Sequence, residues 1–215
     1  MTTRLLLATL LAMVISYLLG SINFAIIITK KVARSDIRDY GSGNAGMTNV
    51  LRTLGKGPAT LTLIGDFCKG LVSILLSRLL LTYIGNGSDI TTILYVCGIA
   101  TLLGHLFPVF YGFRGGKGIL ASAGVLGGIH PLVLACLLAV FLIVVLSTKI
   151  VSVASITVAA CVPVFVCIWS LVGHSPNVVL ETVLGAIIGG LVIFMHRENI
   201  KRLRNGTENS FKKKK

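Results

Sequence analysis

Charge is scarce in this chain of 215 residues: 13% of positions are Asp, Glu, Lys or Arg, about half the share of a soluble domain. An ordinary water-soluble fold is thereby excluded. The mean hydropathy of +0.92 and recurring apolar runs of about 20 residues make lipid the solvent for most of the chain. The five cysteines (Cys68, Cys97, Cys136, Cys161 and Cys167) lie in apolar runs without a C-x-x-C pair, which favours packing thiols over a redox or metal centre. No G-x-x-x-x-G-K-[ST] loop occurs, so ATP hydrolysis has no cradle. H-x-x-x-x-D and G-x-S-x-G are also missing, which removes the common His–Asp pair and the serine elbow from any acyl-transfer chemistry. No A-x-A-like site follows the first apolar run, so that run reads as a retained span rather than a signal peptide. No internal repeat is seen, which weakens a transporter built from inverted halves.

What charge there is lies unevenly. Asp and Glu number 7 against 20 Lys and Arg, a net charge of +13, and seventeen of the twenty cations sit in alternate connections or in the tail. Lys30, Lys31, Arg34, Arg38, Arg52 and Lys56 lie between the first two runs, Arg114 and Lys117 in the third connection, Lys149 at a later break, and the rest after Met195. The connections around Gly85–Asp89, His130–Pro131 and Gly173–Asn177 hold none. This is positive-inside asymmetry, not a nucleic-acid surface. The apolar runs are Leu5–Thr29, about Pro58 to Ile84, Ile90–Tyr111 (interrupted near Pro108), Ile119–Ile129, Leu132–Ser147, Ile150–Val172 and Val178–Met195. The fourth and fifth read as one broken unit or as two short helices. Counting seven spans puts every basic connection on one face, with the N-terminus and Asn86 outside and Ser42, Arg114 and the C-terminus in the cytoplasm. The expectation is an all-α polytopic membrane protein, residues 1–215 forming a single membrane domain with a polar tail from about residue 196. Gly124-x-x-x-Gly128 and Gly185-x-x-x-Gly189 provide small-residue helix faces.

Three polar stretches share the basic face. "YGSGNAGMTNVLRTLGKG" (Tyr40–Gly57) lacks hydrophobic periodicity and reads as a loop rich in hydrogen-bonding groups, with Arg52 able to grip a phosphate bidentately. "GHLFPVFYGFRGGKG" (Gly104–Gly118) ends in a glycine loop whose bare N–H groups and Lys117 suit a phosphate. "HRENIKRLRNGTEN" (His196–Asn209) places His196 and Asn199 three residues apart, on one side if the last span continues as a helix. Histidine is poised for proton transfer near neutral pH, while Lys212–Lys215 suit anionic lipid. Asp66 and Lys69, three apart in the second span, read as an ion pair that either supports the site or touches substrate. His105 is ambiguous in the same way, and His130 and His174 lie on the opposite side. A phosphate-handling membrane enzyme, an organic-phosphate transporter and a lipid-binding scaffold all accommodate basic loops. A transporter, however, needs polar residues along a crossing path, whereas here they gather on one side.

The three stretches resemble, in order and spacing, the cytoplasmic motifs of the bacterial acyl-phosphate-dependent glycerol-3-phosphate 1-acyltransferase family: "GSGN-x-GATNV-x-R", "GH-x-x-PVF-x-x-FKGGKG" and "HREN-x-x-RL-x-x-G-x-E". "LLGSINFA" in the first span and "DFCKG" in the next are similar to the family as well. The resemblance implies an enzyme of the bacterial inner membrane, active at its cytoplasmic face, with glycerol 3-phosphate, acyl phosphate and membrane lipid as partners and no cofactor. It implies that Ser42, Arg52, Lys117, His196 and Asn199 line the polar site. Thr48, Gly115, Gly116 and Gly118 would help hold the donor's phosphate, while Asn44, Asn49, Asp66, Lys69, His105 and Glu198 would support the site. Met47 and Arg114 depart from the family's usual Ala and Lys, and Ala121 stands where a Thr hydroxyl is common.

Overall fold

A computed structural model describes residues 3–85 and 90–210; Asn86, Asp89 and Lys212–Lys215, to which the sequence assigned an outer connection and a lipid-binding tail, lie outside the described residues. Among the described residues ten α-helices account for most of the chain and no strand occurs: α1 (Thr3–Ser21), α2 (Phe24–Ala33), α3 (Met47–Leu54), α4 (Lys56–Gly85), α5 (Thr91–Leu106), α6 (Ile119–Ile129), α7 (Pro131–Thr148), α8 (Val151–Val172), α9 (Val178–Met195) and α10 (Arg197–Arg204). Six segments of the described chain are long and apolar enough to cross a membrane, the first of them α1 and α2 together. Apolar α6 has eleven residues, about 16 Å at 1.5 Å per residue, or half a bilayer core. The chain divides into two compact units, Met1–Ile129 and His130–Lys215, so the fourth and fifth apolar runs are two helices that belong to different units.

In the first unit α1 packs on α5 and α4, and α4 on α6. Glycines let these backbones meet: a Cβ on Gly20 would overlap the Thr101 carbonyl of α5, and one on Gly124 the Phe67 carbonyl of α4, as close-packed membrane helices require. The first apolar run, continuous in sequence, is broken at Ile22–Asn23. Asn23 caps α2 by accepting from the Ile26 N–H at 3.1 Å, and the freed Ile22 carbonyl receives the Lys69 ammonium at 2.5 Å. A broken helix survives in lipid only when such freed groups find partners. α6 is closed in the same way at its far end, where the Arg78 guanidinium donates to the Gly128 carbonyl at 3.1 Å, a cation at the negative pole of the helix dipole.

The connection between α2 and α4, expected to be a loop, contains structure of its own. Ile37–Asp39 form a 3₁₀ turn and Met47–Leu54 form α3. The reason is apolar burial: Val50 joins Ala25, Ile26, Ile37, Ala45 and Ala59 in a core, with Met47, Leu51 and Leu54 against its edge. The run after His105 breaks at Pro108, as the sequence suggests, into a 3₁₀ turn at Val109–Tyr111.

In the second unit α8 packs on α7 and α9, with Gly189 of α9 pressed against the Ala159 carbonyl. The buried Glu181 carboxylate accepts from the hydroxyls of Ser170 and Ser175 and so closes the α8–α9 turn. The five cysteines are free; Cys97 is buried, but Cys68 and Cys136 are exposed on their apolar helices, which corrects the expectation of packing thiols for those two.

Candidate active site

The first unit holds two loops with backbones locked by side chains. In the loop before α3, Asn49 is buried and its carboxamide accepts from the Ser42 N–H at 3.1 Å. Its amino group donates to the carbonyls of Ile37 at 3.1 Å, Tyr40 at 2.9 Å and Asn44 at 3.1 Å. One side chain thus fixes four backbone groups, and Ser42 stands exposed at the turn it creates. Gly41 has a φ of +56° there, and a Cβ on it would collide with the Asn49 side-chain oxygen. Thr48 is half-buried in the first turn of α3. Arg52 is exposed in the last turn, its guanidinium without a partner among the described residues.

The glycine loop packs back on the end of α5. Gly115 N–H donates to Leu106 O at 3.1 Å and Gly116 N–H to His105 O at 3.2 Å. A Cβ on Gly116 would overlap both His105 Nε2 and the Ala45 carbonyl. These two glycines therefore dock the loop instead of offering their amides to an anion. Lys117 and Gly118 follow, Gly118 with a φ of +89°, and α6 begins at Ile119. The first turn of a helix carries N–H groups without intrahelical acceptors and a positive dipole end. The residues fit to receive a phosphate are therefore Lys117, Gly118 and the start of α6.

Beneath the loops lies a buried trio. Lys69 Nζ stands 2.8 Å from Asp66 Oδ1 and 2.9 Å from His105 Nδ1, while His105 Nδ1 is 3.8 Å from the same Asp66 oxygen. The expected Asp66–Lys69 pair is present, with His105 as a third member. An ammonium only donates, so Nδ1 accepts and the ring proton sits on Nε2, the nitrogen that faces Gly116.

A contact that the sequence reading missed joins the two loops. Arg38 donates through Nε and Nη2 to Asp36 (3.0 and 2.8 Å) and through Nη1 to the carbonyls of Tyr111 (2.7 Å) and Arg114 (3.2 Å). Its hydrogen bond holds the Asp36 carboxyl below the usual carboxylate range. In the sequence it was one cation among six in a basic connection, and only its D-x-R spacing set it apart.

In the second unit the last span does not run through His196. The helix breaks there, with α9 ending at Met195 and α10 starting at Arg197. His196 is buried, and its Nδ1–H donates to Val192 O at 2.8 Å. Asn199 is buried and donates to Glu208 Oε1 at 2.8 Å. Glu208 also accepts from Arg202 at 2.7 Å and from Ser152 at 3.0 Å. Burial pushes its carboxyl up, but those donors outweigh burial and hold it low. Glu198, chosen as the supporting carboxylate, is exposed. The carboxylate that meets Asn199 is Glu208, also present in the quoted motif. Among the described residues no three His, Cys, Asp or Glu side chains group as metal ligands.

The model of the glycerol-3-phosphate acyltransferase family matches residues 10–206. A glycerol-3-phosphate acyltransferase of Syntrophomonas wolfei is 43% identical over 91% of this chain and 93% of its own length. One from Geotalea daltonii is 44% identical over 92% and 95%. Among solved structures, the glycerol 3-phosphate form of PlsY, an integral membrane glycerol 3-phosphate acyltransferase, matches with a TM-score of 0.80 and 38% identity, covering 94% of this chain and 95% of that one. The lysophosphatidic acid form of the same enzyme matches with a TM-score of 0.77 at 37% identity.

Proposed function

This chain belongs to the glycerol-3-phosphate acyltransferase family, and from that premise we propose that it moves an acyl group from acyl phosphate to the 1-hydroxyl of glycerol 3-phosphate. The products are lysophosphatidic acid and inorganic phosphate, in the first acylation of membrane phospholipid synthesis. The observation that carries this reading is Lys117 and Gly118 leading directly into the positive end of α6, docked through Gly116 against the loop that bears Ser42 and leads into α3, which carries Arg52.

An acyl phosphate is a mixed anhydride and needs no acyl-enzyme. The attacking hydroxyl forms the new ester bond at the carbonyl carbon, the bond to the phosphate oxygen breaks, and phosphate leaves with its electron pair. Positioning and charge stabilisation suffice for such a donor. Lys117, Gly118 and the first turn of α6 hold the departing phosphate, with Thr48 beside the donor. Arg52 grips the acceptor's phosphate, and Ser42 and Asn199 orient its hydroxyl. His196 takes the hydroxyl proton on Nε2, since Nδ1–H is committed to Val192 O. Asn44, Asn49, Asp66, Lys69 and His105 support these groups from within the first unit, and Glu208 holds Asn199 in the second.

We read the chain as one acyltransferase domain, because the family model matches residues 10–206, within both units. Seven spans, with α6 as the short one, place the N-terminus outside and every basic connection in the cytoplasm of a bacterial inner membrane. Acyl-coenzyme A is not a donor, because the short glycine loop offers nothing to its adenine and ribose phosphate.

The test is the purified protein with acyl phosphate and glycerol 3-phosphate, following phosphate release and lysophosphatidic acid together. Equal amounts of both products are expected, and none from acyl-coenzyme A. Turnover with the coenzyme A thioester, or phosphate release without acylated product, overturns the reading.

A further inference from the structure

Two consecutive residues between Tyr111 and Arg114 turn the chain through the left-handed region. Gly112 has a φ of +64°, and Phe113, with a full side chain, has a φ of +58°. A bulky residue in the left-handed region stays there only when its surroundings hold it. The carbonyls of Tyr111 and Arg114 bracket this pair, and both accept from Nη1 of Arg38. The other edge of the same guanidinium faces Asp36 through Nε and Nη2, so four of its five N–H groups are used. Asp36 is fixed in turn, because its Oδ1 also accepts the Arg38 N–H at 3.0 Å and starts the 3₁₀ turn.

We propose that Arg38, oriented by Asp36, is a positioning residue: it clamps the left-handed bend at Gly112–Phe113 and thereby aims Lys117 and Gly118 at the donor's phosphate. The clamp is stiff at one end because it grows from the 3₁₀ turn whose Ile37 belongs to the buried core. At the other end it holds a bend only three residues before Lys117. A lysine at position 38 has one nitrogen and cannot serve a carboxylate and two carbonyls on opposite edges. The depressed Asp36 carboxyl agrees with a pair that stays charged at working pH. This inference rests on the assignment of the glycine loop to the acyl phosphate.

The test uses full-length Arg38→Ala, Arg38→Lys and Asp36→Asn, with Gly116→Ala as a variant that displaces the same loop by another route. Arg38→Ala is expected to raise the donor KM about tenfold and to lower kcat by less than Lys117→Ala does, because the loop's aim is disturbed while Lys117 itself is kept. Arg38→Lys should fail to restore it, Asp36→Asn should fall between, and millimolar guanidinium should recover part of the Arg38→Ala loss. A fall in kcat alone, donor and acceptor KM both unchanged in a folded variant, or a thermal midpoint lowered without a KM change overturns the clamp. If Arg38→Ala and Gly116→Ala both raise the acceptor KM instead, the clamp stands and the donor assignment of the loop falls.

Discussion

Lys69 offers the most decisive test of how the first unit is held. Its ammonium faces three acceptors at once: the Asp66 carboxylate, the Ile22 carbonyl at the break between α1 and α2, and His105 Nδ1 beneath the glycine loop. Lys69→Met keeps the bulk of the side chain and removes every donor. Asp66, 1% exposed, is then a carboxylate stranded in an apolar interior, and breaking a buried pair in this way costs about 3–5 kcal/mol. At about 2–4 °C per kcal/mol for a chain of this size, the midpoint of thermal unfolding in detergent should fall by about 6–20 °C. The double variant Asp66→Leu with Lys69→Met removes the stranded charge and leaves two neutral acceptors. It should be more stable than Lys69→Met alone by about 3 kcal/mol. Circular dichroism melts of the three variants decide the matter. A Lys69→Met protein that melts with the wild type, or a double variant less stable than the single, refutes the account of Lys69 as the partner of Asp66.

Arg52→Lys should chiefly raise the glycerol 3-phosphate KM, since a point charge replaces a fork, and steady-state kinetics in acceptor will show it. Lys117→Ala should lower kcat at saturating acceptor by about a hundredfold or more, the loss expected for one electrostatic contact in the transition state; a near-normal rate would remove Lys117 from the chemistry. Glu208 sits below its ordinary pKa when folded, so its contribution is complete above the ordinary carboxylate value and is lost as pH falls through the lower folded value. Thermal midpoints should therefore drop on acidification in the wild type and less so in Glu208→Gln. A cysteine at position 114, introduced after replacing the exposed Cys68 and Cys136, should label only from the cytoplasmic side in intact cells.

The spans were legible because their ends carry cations or Gly and Pro, and because lipid demands long apolar runs. The break at Ile22–Asn23 was not legible: nothing in "LLGSINFA" announces that the carbonyl it frees is met by a lysine 47 positions later. Helix α3 was hidden because its buried residues, led by Val50, are few and lie among Thr, Asn and Arg. The three motifs proposed Ser42, Arg52, Lys117, His196 and Asn199 as site residues, yet they did not say which glycine amides are already engaged. That depends on the carbonyls of His105 and Leu106, which fold back onto Gly116 and Gly115. Arg38 and Glu208 were overlooked for a shared reason: each meets partners far from it in the chain or on a returning tail, and a local pattern does not say which partners those are.

The Asn49 knot has a consequence for how the gene tolerates error. The loop from Ile37 to Asn44 draws its shape from one carboxamide that both accepts and donates. Aspartate has almost the same outline, and the codons of the two residues differ by a single base. Yet a carboxylate there would point oxygen at three carbonyls, and every hydrogen bond made by the amino group would become a repulsion. Met47 makes no such demand: it lends bulk at the edge of the core. The fragility of the whole loop is concentrated in one nitrogen atom, and the smallest possible lesion in its codon is enough to remove it.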